Sequence, residues 1–220
     1  MLKFILFVFI FSCSLFASSQ IHVRNEPRHH NVFENEFVRI LDVHLGPRDT
    51  TLYHLHNTPS VFIVFTNTNV GSQLIGKQSQ KGANITGVVS YDSLNTPRIH
   101  RVWNEDTSWF HVMDIELTST KQNVKISPLK DTALKLLFNE QQVNGYNIDL
   151  KPNNTLELPA SVNGYLVVSQ TTSAIDCNIH GVTQHRMLNP AHYIWVDPGR
   201  NFSLKTNRNN AASFVLLQFK

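Results

Sequence analysis

His54 and His56 stand one residue apart in His54-Leu55-His56, and a third histidine, His100, opens the segment His100-Arg101-Val102-Trp103-Asn104. Residues two apart on a β-strand project from one face, so His54 and His56 can aim both imidazoles at one point. His100 on a facing strand would complete a three-nitrogen site for a divalent metal ion and leave coordination positions open for water or a small-molecule ligand. Neutral imidazoles leave such an ion its full positive charge, which favours an anionic or enolate-forming substrate and acidifies a bound water. His111 shares strand parity with Met113, Ile115 and Leu117. It is the candidate catalytic base, expected on the same interior as the three ligands. Tyr53 and Trp103 flank the ligand segments at the opposite parity, which predicts packing outside the pocket.

Short strands must position these residues. Phe37 to Leu45, Leu52 to His56, Val61 to Phe65, Gln73 to Ile75, Ile99 to Trp103 and Phe110 to Leu117 read as β, separated by Gly46-Pro47, Asn57-Thr58-Pro59, Asn67-Thr68-Asn69 and Asn95-Thr96-Pro97. These are the residue types that reverse a chain. Thr132 to Phe138 is the single stretch with any helical spacing, and its β alternation is no better. An all-β sandwich or barrel follows.

The second half of the chain echoes the first. Pro47-Arg-Asp-Thr-Thr-Leu and Ser60-Val-Phe-Ile-Val-Phe return as Pro152-Asn-Asn-Thr-Leu and Ser161-Val-Asn-Gly-Tyr-Leu-Val-Val, and Asn104 returns as Asn207. The offsets, 152 − 47 = 105 and 207 − 104 = 103, nearly agree, which predicts two tandem barrels of the same kind. The copies differ where chemistry would be. Leu158-Pro159-Ala160 is expected opposite His54 to His56, and Ser203 opposite His100. His180, His185 and His192 are spaced five and seven apart, so they do not share a strand face and read as surface or loop residues.

His-x-His followed by His-x-x-x-Asn resembles the two sequence motifs of the cupin superfamily. Ser60 stands where the first motif usually carries glutamate, Gly46 lies eight residues before His54, and Gly87 lies thirteen before His100. Three histidines without the glutamate look more like the three-histidine cupins, several of which are dioxygenases. The resemblance implies two tandem jelly-roll β-barrels, a bicupin, with a metal site in the N-terminal barrel (20–125) and a degenerate C-terminal barrel (126–220). It implies iron if the chemistry is an oxygenase's; zinc, nickel or manganese would suit hydrolysis or isomerisation. A non-catalytic cupin-fold binding protein is the alternative, and a structural bicupin resembling seed storage proteins is a third.

Residues 1–19 read as a signal peptide: Lys3 gives the positive start, Phe4 to Phe11 is apolar, and Ala17-Ser18-Ser19 offers a cleavage site before Gln20. The apolar run is too short to span a bilayer, so the expected location is secreted or periplasmic. Cys13 offers a lipoprotein alternative, although Leu15 and Phe16 extend the apolar stretch beyond it. Loss of the signal leaves Cys177 as the single thiol, so the mature chain has no internal disulfide and rests on packing, for which 41% hydrophobic content and fourteen Phe supply material. Net charge is +3, or +2 without Lys3, and no basic stripe forms. Nucleic acid is therefore not an expected partner; a small-molecule substrate or ligand is, and a homodimer is left open.

Overall fold

The computed structural model describes residues 21–120 and 124–220. The expected signal segment, with Cys13, lies outside the described residues. The first half carries ten strands: β1 (Ile21–His22), β2 (His29–Glu34), β3 (Val38–Leu45), β4 (His54–His56), β5 (Ser60–Val64), β6 (Thr68–Leu74), β7 (Gln80–Asn84), β8 (Val89–Asp92), β9 (Arg98–Asn104) and β10 (Phe110–Leu117). The second carries nine: β11 (Leu134–Asn139), β12 (Val143–Leu150), β13 (Thr155–Leu158), β14 (Tyr165–Ser169), β15 (Ser173–Ile179), β16 (Val182–Leu188), β17 (Tyr193–Val196), β18 (Phe202–Thr206) and β19 (Ala212–Phe219). The fold is all-β, and among the described residues the helical content is one 3-10 turn, Val23–Asn25.

Each half is a jelly roll of two facing sheets. In the first the orders are β1-β4-β9-β6-β7 and β2-β3-β10-β5-β8; in the second they are β13-β18-β15-β16 and β11-β12-β19-β14-β17. Adding nine to the strand number turns one set of orders into the other, apart from β1: β3 to β10 correspond to β12 to β19, and β2 to β11. Among the described residues no ladder joins a strand of one half to a strand of the other.

The central strands β10 and β19 explain how the halves join. Phe110, Val112 and Asp114 point into the first jelly roll, while Met113, Ile115 and Leu117 point out of it, against the back of the second. There they meet Leu166, Val168, Val215 and Leu217, with Val38, Ile40, Val61 and Ile63 beside them, in one fully buried seam. Both faces of β10 are covered, so its apolar residues do not follow a simple in-and-out alternation.

The interiors differ sharply. The second is filled by Tyr146, Leu156, Tyr165, Phe202, Phe214 and Leu216. The first contains a cavity of about 300 Å³.

Three local findings depart from the sequence reading. Thr132 to Phe138, the helical candidate, lies mostly in β11, and a register shift between Leu136 and Phe138 breaks the alternation that would have marked it as a strand. The polar strands β7 and β8 had no apolar run to announce them. The second half is also matched differently in part. The bridge of Thr50 to Trp103 matches the pair Thr155 and Lys205, so β13 answers to the stretch that begins at Thr50, Leu158 stands at the place of His54, and the place of His56 falls past the end of β13. The pairing of β9 with β6 and of β18 with β15 puts Phe202, not Ser203, at the place of His100. A one-residue slip on a strand sends a side chain to the opposite face.

Candidate metal centre

Four histidines converge at one end of the first cavity. His54 and His56 point inward from β4, and His100 is the direct cross-strand partner of His54 on β9. Ring centroids lie 4.7 Å apart for His54 and His100, 4.8 Å for His56 and His100, and 5.0 Å for His54 and His56. The fourth ring is His29 on β2, 4.7 Å from His54. One ring nitrogen each of His29, His54 and His56 lies within 4.8 Å of the others.

Backbone anchors fix the walls. Thr51 N–H donates to Val102 O at 2.8 Å and its Oγ1 accepts from Val102 N–H at 2.9 Å, tying the entry of β4 to β9. Asn104, at the end of the His-x-x-x-Asn element, is buried and structural: Nδ2 donates to Leu45 O, Gly46 O and Ser108 O, and Oδ1 accepts from Asp106 N–H. Trp103 lies outside the cavity over Gly71, where an added Cβ would fall 2.0 Å from the indole. Tyr53 is also outside, with Arg101 over its ring.

Two of the four rings are oriented from behind by hydrogen bonds. Nδ1 of His54 lies 2.8 Å from Leu52 O, and Nδ1 of His29 lies 2.7 Å from Glu26 Oε2. Glu26 is itself buried. Burial pushes its carboxyl up, but hydrogen bonds from His29 and from the Arg28 and Leu52 backbone N–H groups overcome this and hold it below its ordinary value. Nε2 of His54 and Nε2 of His56 are buried with no hydrogen-bond partner. Buried polar atoms are rarely left so. Burial lowers His54 to about 4 and His100 to about 3, with neighbouring histidines contributing, and it lowers His56 still further. All three are therefore neutral at pH 7, the form that ligates metal.

Fit to a divalent ion rests on those orphaned nitrogens. His54, His56, His29 and His100 supply imidazole nitrogen, and Glu26 and Leu52 O hold Nδ1 of two of them so that Nε2 faces the shared space. Imidazole donors suit zinc, iron, nickel and manganese alike. The remaining wall is mainly apolar, formed by Val43, Leu45, Phe62, Val64, Val102 and Phe110 among others, and among the described residues no Lys or Arg lines it.

Asp114 also borders this cavity from β10. It is fully buried, and burial first, then the Glu116 charge, pushes its carboxyl up to about 7. Neither His29 nor Asp114 carries a motif in the sequence. The repeat offset of 105 seen at Pro47 and Pro152 does connect His29 with Leu134, a polar residue opposite an apolar one.

His111 stands elsewhere. It shares a face with Met113 and Ile115 as its parity requires, but that face is the outer one, at the margin of the seam. The expectation that this face lines the interior is corrected by the packing of β10 against the second jelly roll. Nε2 of His111 lies 2.7 Å from Asp42 Oδ1, His44 Nε2 lies 3.0 Å from Asp42 Oδ2, and the two imidazoles stack at 3.9 Å. Burial opposes ionisation of Asp42, yet the two histidines hold its carboxyl far below its ordinary range. His111 does not line the cavity. His185 is exposed on β16, paired with Asp176.

A cupin 2 conserved barrel domain protein from Leptotrichia buccalis superposes with a TM-score of 0.56 over 86% of this chain and 86% of its own, at 11% identity. The fold is that of the cupins. AerE from Microcystis aeruginosa matches the cupin fold of this chain with a TM-score of 0.61 at 7% identity, covering 89% of this chain and 98% of its own. Salicylate 1,2-dioxygenase from Pseudaminobacter salicylatoxidans matches with a TM-score of 0.61 at 11% identity, over 83% of this chain and 71% of its own. No family model matches the sequence, and no curated protein matches it.

Proposed function

We propose that the first jelly roll binds one divalent metal ion through His54, His56 and His100, with His29 as a fourth nitrogen donor, and that the protein is a metal-dependent enzyme, of oxygenase type, acting on a small molecule. The observation that carries this reading is the contrast of inner walls. His29, His54, His100 and Asp114 occupy, by strand order and register, the places of Leu134, Leu158, Phe202 and Leu216, and the place of His56 falls past the end of β13. Four inward positions that are apolar in one copy carry polar side chains in the other. Burying them without a ligand costs stability and gains nothing.

An ion held there would supply positive charge and open coordination positions. The chain's own residues do the rest. The imidazoles stay neutral, Glu26 and Leu52 O fix ring orientation, and the apolar wall excludes water from a ligand's body. A cavity of about 300 Å³ accepts a small ligand and not a polymer segment. The likeness in fold to a salicylate 1,2-dioxygenase supports oxygen chemistry as the first to assay.

Metal analysis of the purified protein tests the first step, and oxygen consumption by iron-loaded protein with enolisable or thiol substrates tests the second. One ion per chain, lost in His56→Ala, is the expected result. A protein that takes up no ion from iron, zinc, nickel or manganese overturns the proposal in favour of a non-catalytic ligand-binding role. The proposal includes export, supported by Lys3, the apolar run 4–11 and the small residues before Gln20. The amino terminus of the extracytoplasmic protein tests it, and an intact Met1 in the cytoplasm would overturn it.

A further inference from the structure

We propose that Asp114 is a positioning residue of the metal centre, holding the His56 ring so that Nε2 faces the ion; the inference rests on the metal-centre reading above. The argument starts from a pattern shared by three rings. Nδ1 of His29 faces Glu26 Oε2 at 2.7 Å and Nδ1 of His54 faces Leu52 O at 2.8 Å. Nδ1 of His56 faces Asp114 Oδ2 at 3.6 Å. In each case an oxygen acceptor stands behind Nδ1. Nε2 of His54 and of His56 is left buried and unpartnered, as a ligand atom must be before an ion arrives.

Asp114 has no better occupation. Its two oxygens are buried and make no well-formed hydrogen bond; the nearby Ser60 hydroxyl favours the ionised carboxylate but donates to Thr58 O at 3.3 Å. Arg98, whose charge reaches Asp114 from β9 of the facing sheet, is paired with Asp92 at 2.7 Å. Arg39 on β3 is paired with Glu116 and Glu34. A separation of 3.6 Å is long for a hydrogen bond, and a small rotation of His56 toward an ion closes it. The second jelly roll supplies the independent observation. Leu216 takes the place of Asp114 there, and that barrel's places for His29, His54 and His100 are held by Leu134, Leu158 and Phe202. The fold thus has no need of a carboxylate at this position, whereas the carboxylate accompanies the histidines.

The placement bears on ligand class. Glu26 and Asp114 bring two buried carboxylates beside one ion, so the ion's charge is largely offset within the protein. With no Lys or Arg on the cavity wall, the centre suits a neutral or singly charged chelating ligand with an apolar body, not a polyanion.

Cobalt(II) is a suitable probe, because its visible absorption reports ligand number and geometry. Asp114→Leu, Asp114→Asn and wild type are titrated with cobalt(II) and melted in the metal-free state. Asp114→Leu is expected to weaken cobalt binding 10- to 100-fold with altered absorption and an unchanged or raised metal-free melting temperature. Asp114→Asn, which keeps an acceptor oxygen, should restore most of the affinity. Equal affinity in wild type and Asp114→Leu overturns the inference while leaving the metal centre standing. A fall in metal-free melting temperature with unchanged absorption identifies a structural role and also overturns it. No cobalt uptake by wild type overturns both.

Discussion

The two jelly rolls share strand order and register, yet one is full and the other is hollow. Phe214, Tyr146 and Tyr165 occupy the middle of the second, where Leu134, Leu158, Phe202 and Leu216 hold the places of His29, His54, His100 and Asp114 in the first. The first keeps valines and a few larger residues on its wall and leaves about 300 Å³ beside four histidines and an aspartate. The same backbone can therefore be stabilised by packing or used to surround a ligand, and the choice lies in about five inward side chains. A filled barrel gains dispersion contacts that a hollow one forgoes.

The sharpest way to break this comparison is to convert one wall into the other. His54→Leu with His56→Leu should reduce metal uptake from one ion per chain to none while leaving the far-ultraviolet circular dichroism unchanged, because Leu158 already occupies the place of His54 in the other copy. Retained metal in the double variant would mean that His29 and His100 suffice.

Next in size is a deletion in the full barrel. Phe214→Ala should cost about 3–5 kcal/mol by chemical denaturation, since no wall is free to collapse around the loss. Val112→Ala at the cavity wall should cost roughly 1 kcal/mol, because one side of that residue faces space already. Equal costs would indicate that the first barrel closes up in solution.

Acid separates the two halves more gently. His54 and His100 are lowered to about 4 and about 3 by burial, so below pH 6.5 the unfolded chain takes up protons that the folded one refuses. Stability is complete above the unfolded value near 6.5 and falls as pH drops toward 4 and 3. Asp114, pushed up to about 7, works the opposite way over part of that window, but His56 adds to the histidine side. The metal-free protein should melt at a lower temperature at pH 5 than at pH 7, with amide exchange in the first barrel accelerating first. An unchanged melting temperature would show that the histidines are more hydrated than their burial implies.

The smallest effect belongs to the outlying histidines. His111→Ala and His185→Ala should leave metal content unaltered, since neither lines the cavity. A loss of metal in His111→Ala would place a second ion with Asp42 and His44, whose nitrogens and carboxylate already lie within 4.8 Å of the His111 nitrogen.

Much of this was legible before any coordinates. The spacing His54-x-His56 and the distant His100 need only strand parity and an antiparallel pairing to meet, and β4 beside β9 provides it. The repeat was visible because turn residues such as Pro47 and Pro152 survive where side chains are constrained by backbone shape. His29, Glu26 and Asp114 were not legible, since they reach the cavity through the long-range pairing of β2 with β3 and β3 with β10. Parity placed His111 and Met113 on one face correctly, but a central strand buried on both sides gives no local sign of which face is the interior.

The seam between the jelly rolls has a bearing on handling and on how the molecule breathes. Val38, Ile40, Val61, Ile63, Met113, Ile115 and Leu117 form the outer side of one sheet and are covered only by the other half. Cutting the chain near residue 120 to isolate the hollow barrel would bare that whole sheet face, and the fragment should precipitate or pair with itself. Within the intact protein the same sheet is held against the second half, and the turn at Gly87 is tied to Val64 and Gln170, so a ligand's entry and departure must rely on motions of the opposite wall, around the exposed strand β7.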